Sequence, residues 1–165
     1  MTHNLAFDFS VDREKKTIHV KREFAAELPL VWDAYTKHEI LDQWWAPKPW
    51  KARTKEMNFR EGGFWLYYME GPDGEKQWCR ADYKSVDPGK SFSLVDAFCD
   101  EEGNPTNELP NMHWQNEFSE TETGTKVTVE ITFKSEADLE KLVEMGFKEG
   151  FTMAHGNLDE LLAKQ

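Results

Sequence analysis

Four polar residues fall where the surrounding spacing is otherwise apolar: Arg22, Asp96, Asn116 and Asn157. Such positions are where recognition or chemistry would sit, because a buried charge or amide needs a partner, supplied either by the chain or by a ligand. Arg22 interrupts the alternation of Ile18, Val20 and Phe24. A guanidinium buried there requires a carboxylate or a ligand anion, unless it reaches solvent at the strand end. Mutual pairing of Arg22 with Asp96 is one solution, and a bound small molecule is the other. Arg22, Asp96 and Tyr83 are also the groups available as acid, base or oxyanion donor if a substrate were turned over. No residue set has the spacing of a nucleophilic triad, so no catalytic residue is assigned. The histidines, His3, His19, His38, His113 and His155, are scattered. His19 and His113 lie on polar strand faces and His155 near a helix edge, so all three are read as surface residues. The carboxylates are spread as on any acidic surface, and Cys79 and Cys99 belong to no CxxC or Cys/His cluster. Two reduced thiols, no metal and no cofactor are expected.

The elements that must hold these residues can be read from periodicity. Residues 17–24 alternate as a half-buried strand. Between residues 28 and 43, Pro29 suits a first helical turn, and Val31, Trp32, Tyr35, Ile40 and Leu41 give helical spacing broken near residues 37–39, which reads as two short helices. In the loop that follows, Trp44, Trp45 and Trp50 are interspersed with Pro47 and Pro49, and adjacent tryptophans in such a loop either plug one end of a core or line a mouth. Six strands come next, over residues 52–59, 64–69, 76–86, 91–98, 112–119 and 127–133, separated by turn signals such as Gly62-Gly63, Pro72-Asp73-Gly74 and Pro88-Gly89. The run at 64–69 is apolar on both faces. An acidic, Pro- and Gly-containing loop spans residues 99–110. Within residues 1–16, Phe7, Phe9 and Val11 alternate, which fits either an added edge strand or an extension lying on the body.

Residues 135–163 read as one long amphipathic helix, with Leu139, Val143, Gly146, Phe147, Gly150, Ala154, Leu158 and Leu161 on one face and Lys141, Lys148, Thr152 and Asp159 opposite. Ser135 with Asp138 three residues on has the form of a capping box. Gly146 and Gly150 on the apolar face each cost up to about 1 kcal/mol relative to alanine. That cost is offset either by close approach of the sheet backbone or by a hollow left between helix and sheet.

The sequence holds 31 acidic and 20 basic residues, a net charge of −11. Nucleic acid and anionic membrane surfaces are therefore not expected partners. Residues 1–10 lack a secretion signal and no run approaches a membrane span, so a cytoplasmic protein is expected. A chain of 165 residues is most simply one domain, residues 1–16 being its extension. Seven tryptophans within an aromatic content of 13% supply large surfaces for a core or a ligand. An antiparallel sheet of about seven strands curled around the last helix is the simplest way to bury both apolar faces, an α+β architecture.

Several stretches carry a resemblance to a known family. Residues 20–24 (Val-Lys-Arg-Glu-Phe), 31–36 (Val-Trp-Asp-Ala-Tyr-Thr), 43–47 (Gln-Trp-Trp-Ala-Pro), 59–63 (Phe-Arg-Glu-Gly-Gly) and 145–150 (Met-Gly-Phe-Lys-Glu-Gly) resemble the SRPBCC, START-like or birch-pollen-allergen-like superfamily. More narrowly they resemble the bacterial group of homologues of the activator of heat-shock protein 90 ATPase. Asn58 stands where an aspartate is common in that group, and Ala81 where a glycine is usual. The resemblance implies a helix-grip fold with an internal cavity between sheet and long helix, used across the superfamily for hydrophobic molecules. The expected function is binding of a hydrophobic or amphipathic small molecule, without assigned chemistry. A co-chaperone-like activator of the heat-shock protein 90 ATPase and an enzyme acting on a cavity-bound substrate are the alternatives. The residues expected around the ligand are Arg22, Trp45, Trp65, Tyr68, Tyr83, Asp96, Trp114, Asn116, Phe118, Phe147, Gly150 and Asn157.

Overall fold

Period-two alternation forms the strands and the intervening turn residues reverse them, so that neighbours in sequence become neighbours in space. The computed structural model describes residues 7–46, 49–105 and 112–164. Residues 1–6 of the extension, Pro47 and Lys48 of the tryptophan loop, residues 106–110 of the acidic loop, Asn111 and Gln165 lie outside them. The strands are β1 (Phe7–Asp12), β2 (Thr17–Phe24), β3 (Lys51–Met57), β4 (Phe64–Glu70), β5 (Lys76–Asp87), β6 (Ser91–Phe98), β7 (Met112–Glu120) and β8 (Thr125–Thr132). They make one antiparallel sheet in the order β1-β2-β8-β7-β6-β5-β4-β3. The expected seven strands gain β1, which pairs with β2 from Phe7 against Arg22 to Asp12 against Thr17. Register shifts at Thr54/Glu56 in β3 and Tyr83/Ser85 in β5 are bulges, which bend and twist a sheet locally.

Two short helices, α1 (Leu28–Thr36) and α2 (His38–Trp44), follow β2, with Pro29 in the first turn of α1. The single long helix read from residues 135–163 is in fact two, α3 (Glu136–Glu144) and α4 (Phe147–Leu162). Gly146 separates them at φ 87°, a left-handed conformation that glycine adopts without a Cβ clash. Its role is therefore that of a joint rather than of a gap on a buried stripe. Ser135 Oγ accepts the Asp138 amide at 3.1 Å and caps α3 as its spacing predicts.

The inward strand faces and the helices share one core. Ile18, Val20, Val127, Val129, Ile131, Leu139 and Leu158 are at or near zero exposure. On α4 the buried face is Phe151, Ala154, His155 and Leu158, the i, i+3, i+4, i+7 pattern of a helix laid on a sheet.

Candidate functional site

Along β7, Met112, Trp114, Asn116 and Phe118 are buried and alternate with more exposed partners. β6 carries Asp96, Leu94 and Phe92 in register beside Met112, Trp114 and Asn116. From β4, Trp65 and Tyr67 point the same way, their rings stacked with centroids 3.8 Å apart. Where α4 crosses this face it presents Gly150 between Phe147, Phe151 and Ala154. The result is a cavity of about 190 Å³ lined by Trp45, Tyr67, Met69, Cys79, Asp96, Phe98, Met112, Trp114, Leu142, Phe147, Gly150, Phe151 and Ala154. A smaller hollow of about 30 Å³ is bordered by Trp65, Tyr83, Asn116 and others, and shares Trp45, Tyr67, Asp96 and Trp114 with it.

The tryptophan loop divides its work between core and cavity. Trp44 is 1% exposed and donates its indole N–H to the Ala34 carbonyl at 2.8 Å. Trp45 lies over the cavity, 6.0 Å from Trp114 and 6.2 Å from Phe151 between ring centroids, and donates to the Tyr67 hydroxyl at 3.0 Å. Asn157 of α4 donates to the carbonyls of Trp44 at 3.4 Å and Ala46 at 3.2 Å. Those bonds clasp the loop to the helix, which fixes where Trp45 sits. Trp65 is held by a relay in which its indole donates to Thr54 Oγ1 at 3.0 Å, and Thr54 donates to Asp42 of α2 at 2.7 Å.

Among the described residues Asp96 is the one carboxyl bordering either hollow. Its Oδ1 is excluded from solvent and has no hydrogen-bond partner among the described residues. Burial pushes this carboxyl up to about 7, against a lowering by the Ala97 amide and with a further rise from Asp82. Trp114 Nε1 is likewise buried and without a partner among the described residues. Burial also raises Cys79 and Tyr67 well above their ordinary values, and Tyr83 as well. All three are neutral near pH 7.

Of the residues expected around a ligand, Trp45, Asp96, Trp114, Phe147 and Gly150 border the larger cavity, and Trp65, Tyr83 and Asn116 the smaller. Four lie elsewhere. Tyr68 points to the other face of the sheet, against Trp78 at 4.6 Å and under Lys76, because residues three apart on a strand face opposite ways and Trp65 is inward. Phe118 packs on Tyr35, Trp32 and Phe92, and Asn157 clasps the tryptophan loop. Arg22 does not meet Asp96, since β8 and β7 lie between β2 and β6, a span of about 14 Å at ordinary strand spacing. It is buried against Phe7 and Phe24 and bonds Asp159 and the Glu23 carbonyl. Asp159, expected on the outer face of the helix, thus faces the sheet.

His155 also departs from expectation, being fully buried rather than on the surface. Its Nε2 shares a hydrogen bond of 2.9 Å with the Tyr35 hydroxyl, and burial, with Arg22 nearby, lowers it to about 3. Its spacing four after Phe151 and three before Leu158 was the available signal. Tyr67, Cys79, Met112 and Phe151 border the cavity without having been singled out from sequence. The run at 64–69 is apolar on both faces and hides which residues turn inward. Among the described residues no three His, Cys, Asp or Glu side chains gather as metal ligands, and no helix is long and apolar enough to cross a membrane.

A curved antiparallel sheet closed by a C-terminal helix over an apolar hollow defines a helix-grip domain. Its relatives are of the same kind. A crystal structure of a Mycobacterium smegmatis protein is 34% identical over 96% of each chain, with a TM-score of 0.87. A solution structure from Arthrobacter aurescens is 31% identical, covering 96% of this chain and 92% of its own, at a TM-score of 0.89. Another from Staphylococcus epidermidis is 28% identical over 94% of each chain, at 0.83. No curated protein matches. The family model described as activator of Hsp90 ATPase homolog 1-like protein matches residues 25–163, and the chain belongs to that family, within the SRPBCC superfamily.

Proposed function

We propose that the protein binds a small hydrophobic or amphipathic molecule in the cavity between β4–β7 and α4, and performs no chemistry on it. The observation that carries this reading is the cavity itself, about 190 Å³ walled by aromatic and sulfur-containing side chains with one carboxyl at its edge. A mostly apolar hollow with few polar groups is how small-molecule sites are usually built. An apolar cavity of about 150 Å³ suffices to hold benzene, so the occupant is the size of a single substituted ring or a short branched chain. The enzymatic alternative has less support. Of Arg22, Asp96 and Tyr83, Arg22 is committed to Asp159 away from the cavity, and the Tyr83 phenol is pushed further from ionisation. The co-chaperone alternative rests on the family's name.

Calorimetric titration with toluene tests the reading. The expected result is saturable one-site binding with a negative heat-capacity change, the mark of apolar burial. Absence of saturable binding by toluene and by indole would overturn it.

A further inference from the structure

Two buried polar atoms belong to residues bordering this cavity and have no partner among the described residues, Asp96 Oδ1 and Trp114 Nε1. Buried donors and acceptors are nearly always satisfied, and an orphan costs the fold its full desolvation penalty. Two on residues that line the same cavity point to a ligand group that completes them. In the β6–β7 register Asp96 lies opposite Met112 and Leu94 opposite Trp114. Asp96 and Trp114 are therefore diagonal neighbours on one face, about 7 to 8 Å apart at the backbone. Both side chains border the same cavity.

Resting on the ligand-binding reading above, we propose that the cavity selects small apolar molecules bearing one hydrogen-bond-accepting oxygen, most simply a carbonyl, which receives the Trp114 indole proton and the acid proton of Asp96. The indole is a donor only, so the group it meets must accept. Whether Asp96 meets an acceptor or a cation depends on its protonation, and therefore on every ionisable neighbour. From β5 these are Cys79, Tyr83 and Asp82, and from β4 Tyr67. Cys99, just past β6, adds a thiol that is raised to about 11 by burial and by nearby carboxylates, and so is neutral. α3 and α4 bring Leu142, Phe147, Gly150, Phe151 and Ala154, none of which titrates, while His155 turns instead to Tyr35 and Phe24. Among the described residues no Lys or Arg borders the cavity. The near neighbours are either neutral or, in Asp82, a second carboxylate that favours the protonated acid. A ligand entering below neutral pH therefore meets a carboxylic acid able to donate. Above it, the same oxygen would face an anion and the preference would fade.

The experiment uses ethylbenzene, acetophenone and 1-phenylethylamine, three probes on one carbon skeleton, titrated against the intact protein at pH 6 and pH 8. Acetophenone is expected to bind about tenfold tighter than ethylbenzene at pH 6, the worth of completing otherwise unpaired buried groups. That ratio should shrink about tenfold by pH 8 as the acid ionises. Asp96→Asn, which keeps an N–H donor but carries no titrating proton, is expected to retain the preference and lose its pH dependence. Trp114→Phe should reduce the preference several-fold at pH 6, where it is at its largest. Equal affinities for acetophenone and ethylbenzene at pH 6 would overturn the head-group selection while leaving the apolar-ligand reading intact. Tightest binding by 1-phenylethylamine, strengthening towards pH 8, would overturn it in favour of a carboxylate–ammonium site. Failure of all three probes to bind would overturn both readings together.

Discussion

The two halves of the helix–sheet interface differ in what lies beside their buried polar groups: chain partners in one, a cavity in the other. Under the β1–β2 side, the inward polar side chains meet partners within the chain, although Arg22 Nε and His155 Nδ1 keep none among the described residues. Arg22 meets Asp159 and the Tyr35 hydroxyl meets His155, while Asn157, further along α4 beside α2 and β3, meets two loop carbonyls. Under the β6–β7 side, Asp96 and Trp114 stand beside empty volume with polar atoms unpaired. Both halves are covered by the same helix and built from the same alternating strands. The lesson is that an inward polar residue is not in itself a sign of a site. What separates a structural pair from a recognition group is whether the fold has already supplied its partner, and on the β6–β7 side it has supplied space instead.

The widest contrast comes from breaking the satisfied half. Asp159→Ala strands a guanidinium whose side chain is only 10% exposed, whereas Arg22→Met leaves a carboxylate that is 40% exposed and can rehydrate. Loss of one partner of a buried pair costs about 3 to 5 kcal/mol. Urea unfolding should therefore show about 3 kcal/mol lost in Asp159→Ala and roughly a third of that in Arg22→Met. Equal losses would mean that the pair is not asymmetrically buried.

The second contrast is in the sign of pH dependence. Asp96 has its folded value raised from 3.8 to about 7. Its favourable contribution is thus complete below pH 3.8 and is lost as pH rises to about 7. His155 has its folded value lowered from 6.5 to about 3, so its contribution is complete above pH 6.5 and is lost as pH falls towards 3. Relative to the parent, Asp96→Asn should gain stability from pH 4 to pH 7 and then level, by a total of about 4 kcal/mol. His155→Gln should gain on the parent as pH falls from 6.5. Parallel curves for the parent and Asp96→Asn across pH 4 to 7 would show that the Asp96 carboxyl is not perturbed.

Much of this contrast was legible in the sequence, and the failures have physical causes. Asp96, Trp114 and Asn116 announce their inward direction by strand parity, which survives because β6 and β7 pair without a shift. Parity would also have excluded Tyr68 once Trp65 was placed inward. His155 and Asp159 were misplaced because one helical phase was carried from residue 135 through Gly146, where the left-handed joint starts a new helix with its own phase. The pairing of Arg22 with Asp159 rather than Asp96 could not come from pattern alone, since both carboxylates were available and only strand order separates them.

A smaller effect is expected from filling the unsatisfied half. Gly150→Leu puts a side chain into the cavity that Gly150 borders and removes a helical glycine, which favours the helix by about 1 kcal/mol. A slightly raised melting temperature with loss of toluene binding is expected, whereas a packed interface at this position would be destabilised by about 1 to 3 kcal/mol. The smallest effect is expected in a coupled ATPase assay with the heat-shock protein 90 of the source organism, where adding this protein should leave the rate unchanged. A concentration-dependent rise would move the centre of function from the cavity to the outer surface.

The strand order has a consequence for how the chain reaches its folded state. Every contact along the sheet joins strands consecutive in the chain except β2 with β8, where Ile18 lies opposite Ile131. The β1–β2 hairpin therefore leaves the ribosome with one edge unpaired and waits for more than a hundred residues, about 5 to 20 seconds at ordinary synthesis rates, before its partner exists. That makes β2 pairing the slow, topologically expensive step. It also leaves Ile18 and Val20, both wholly buried in the finished domain, open to adventitious strand pairing for the whole of translation.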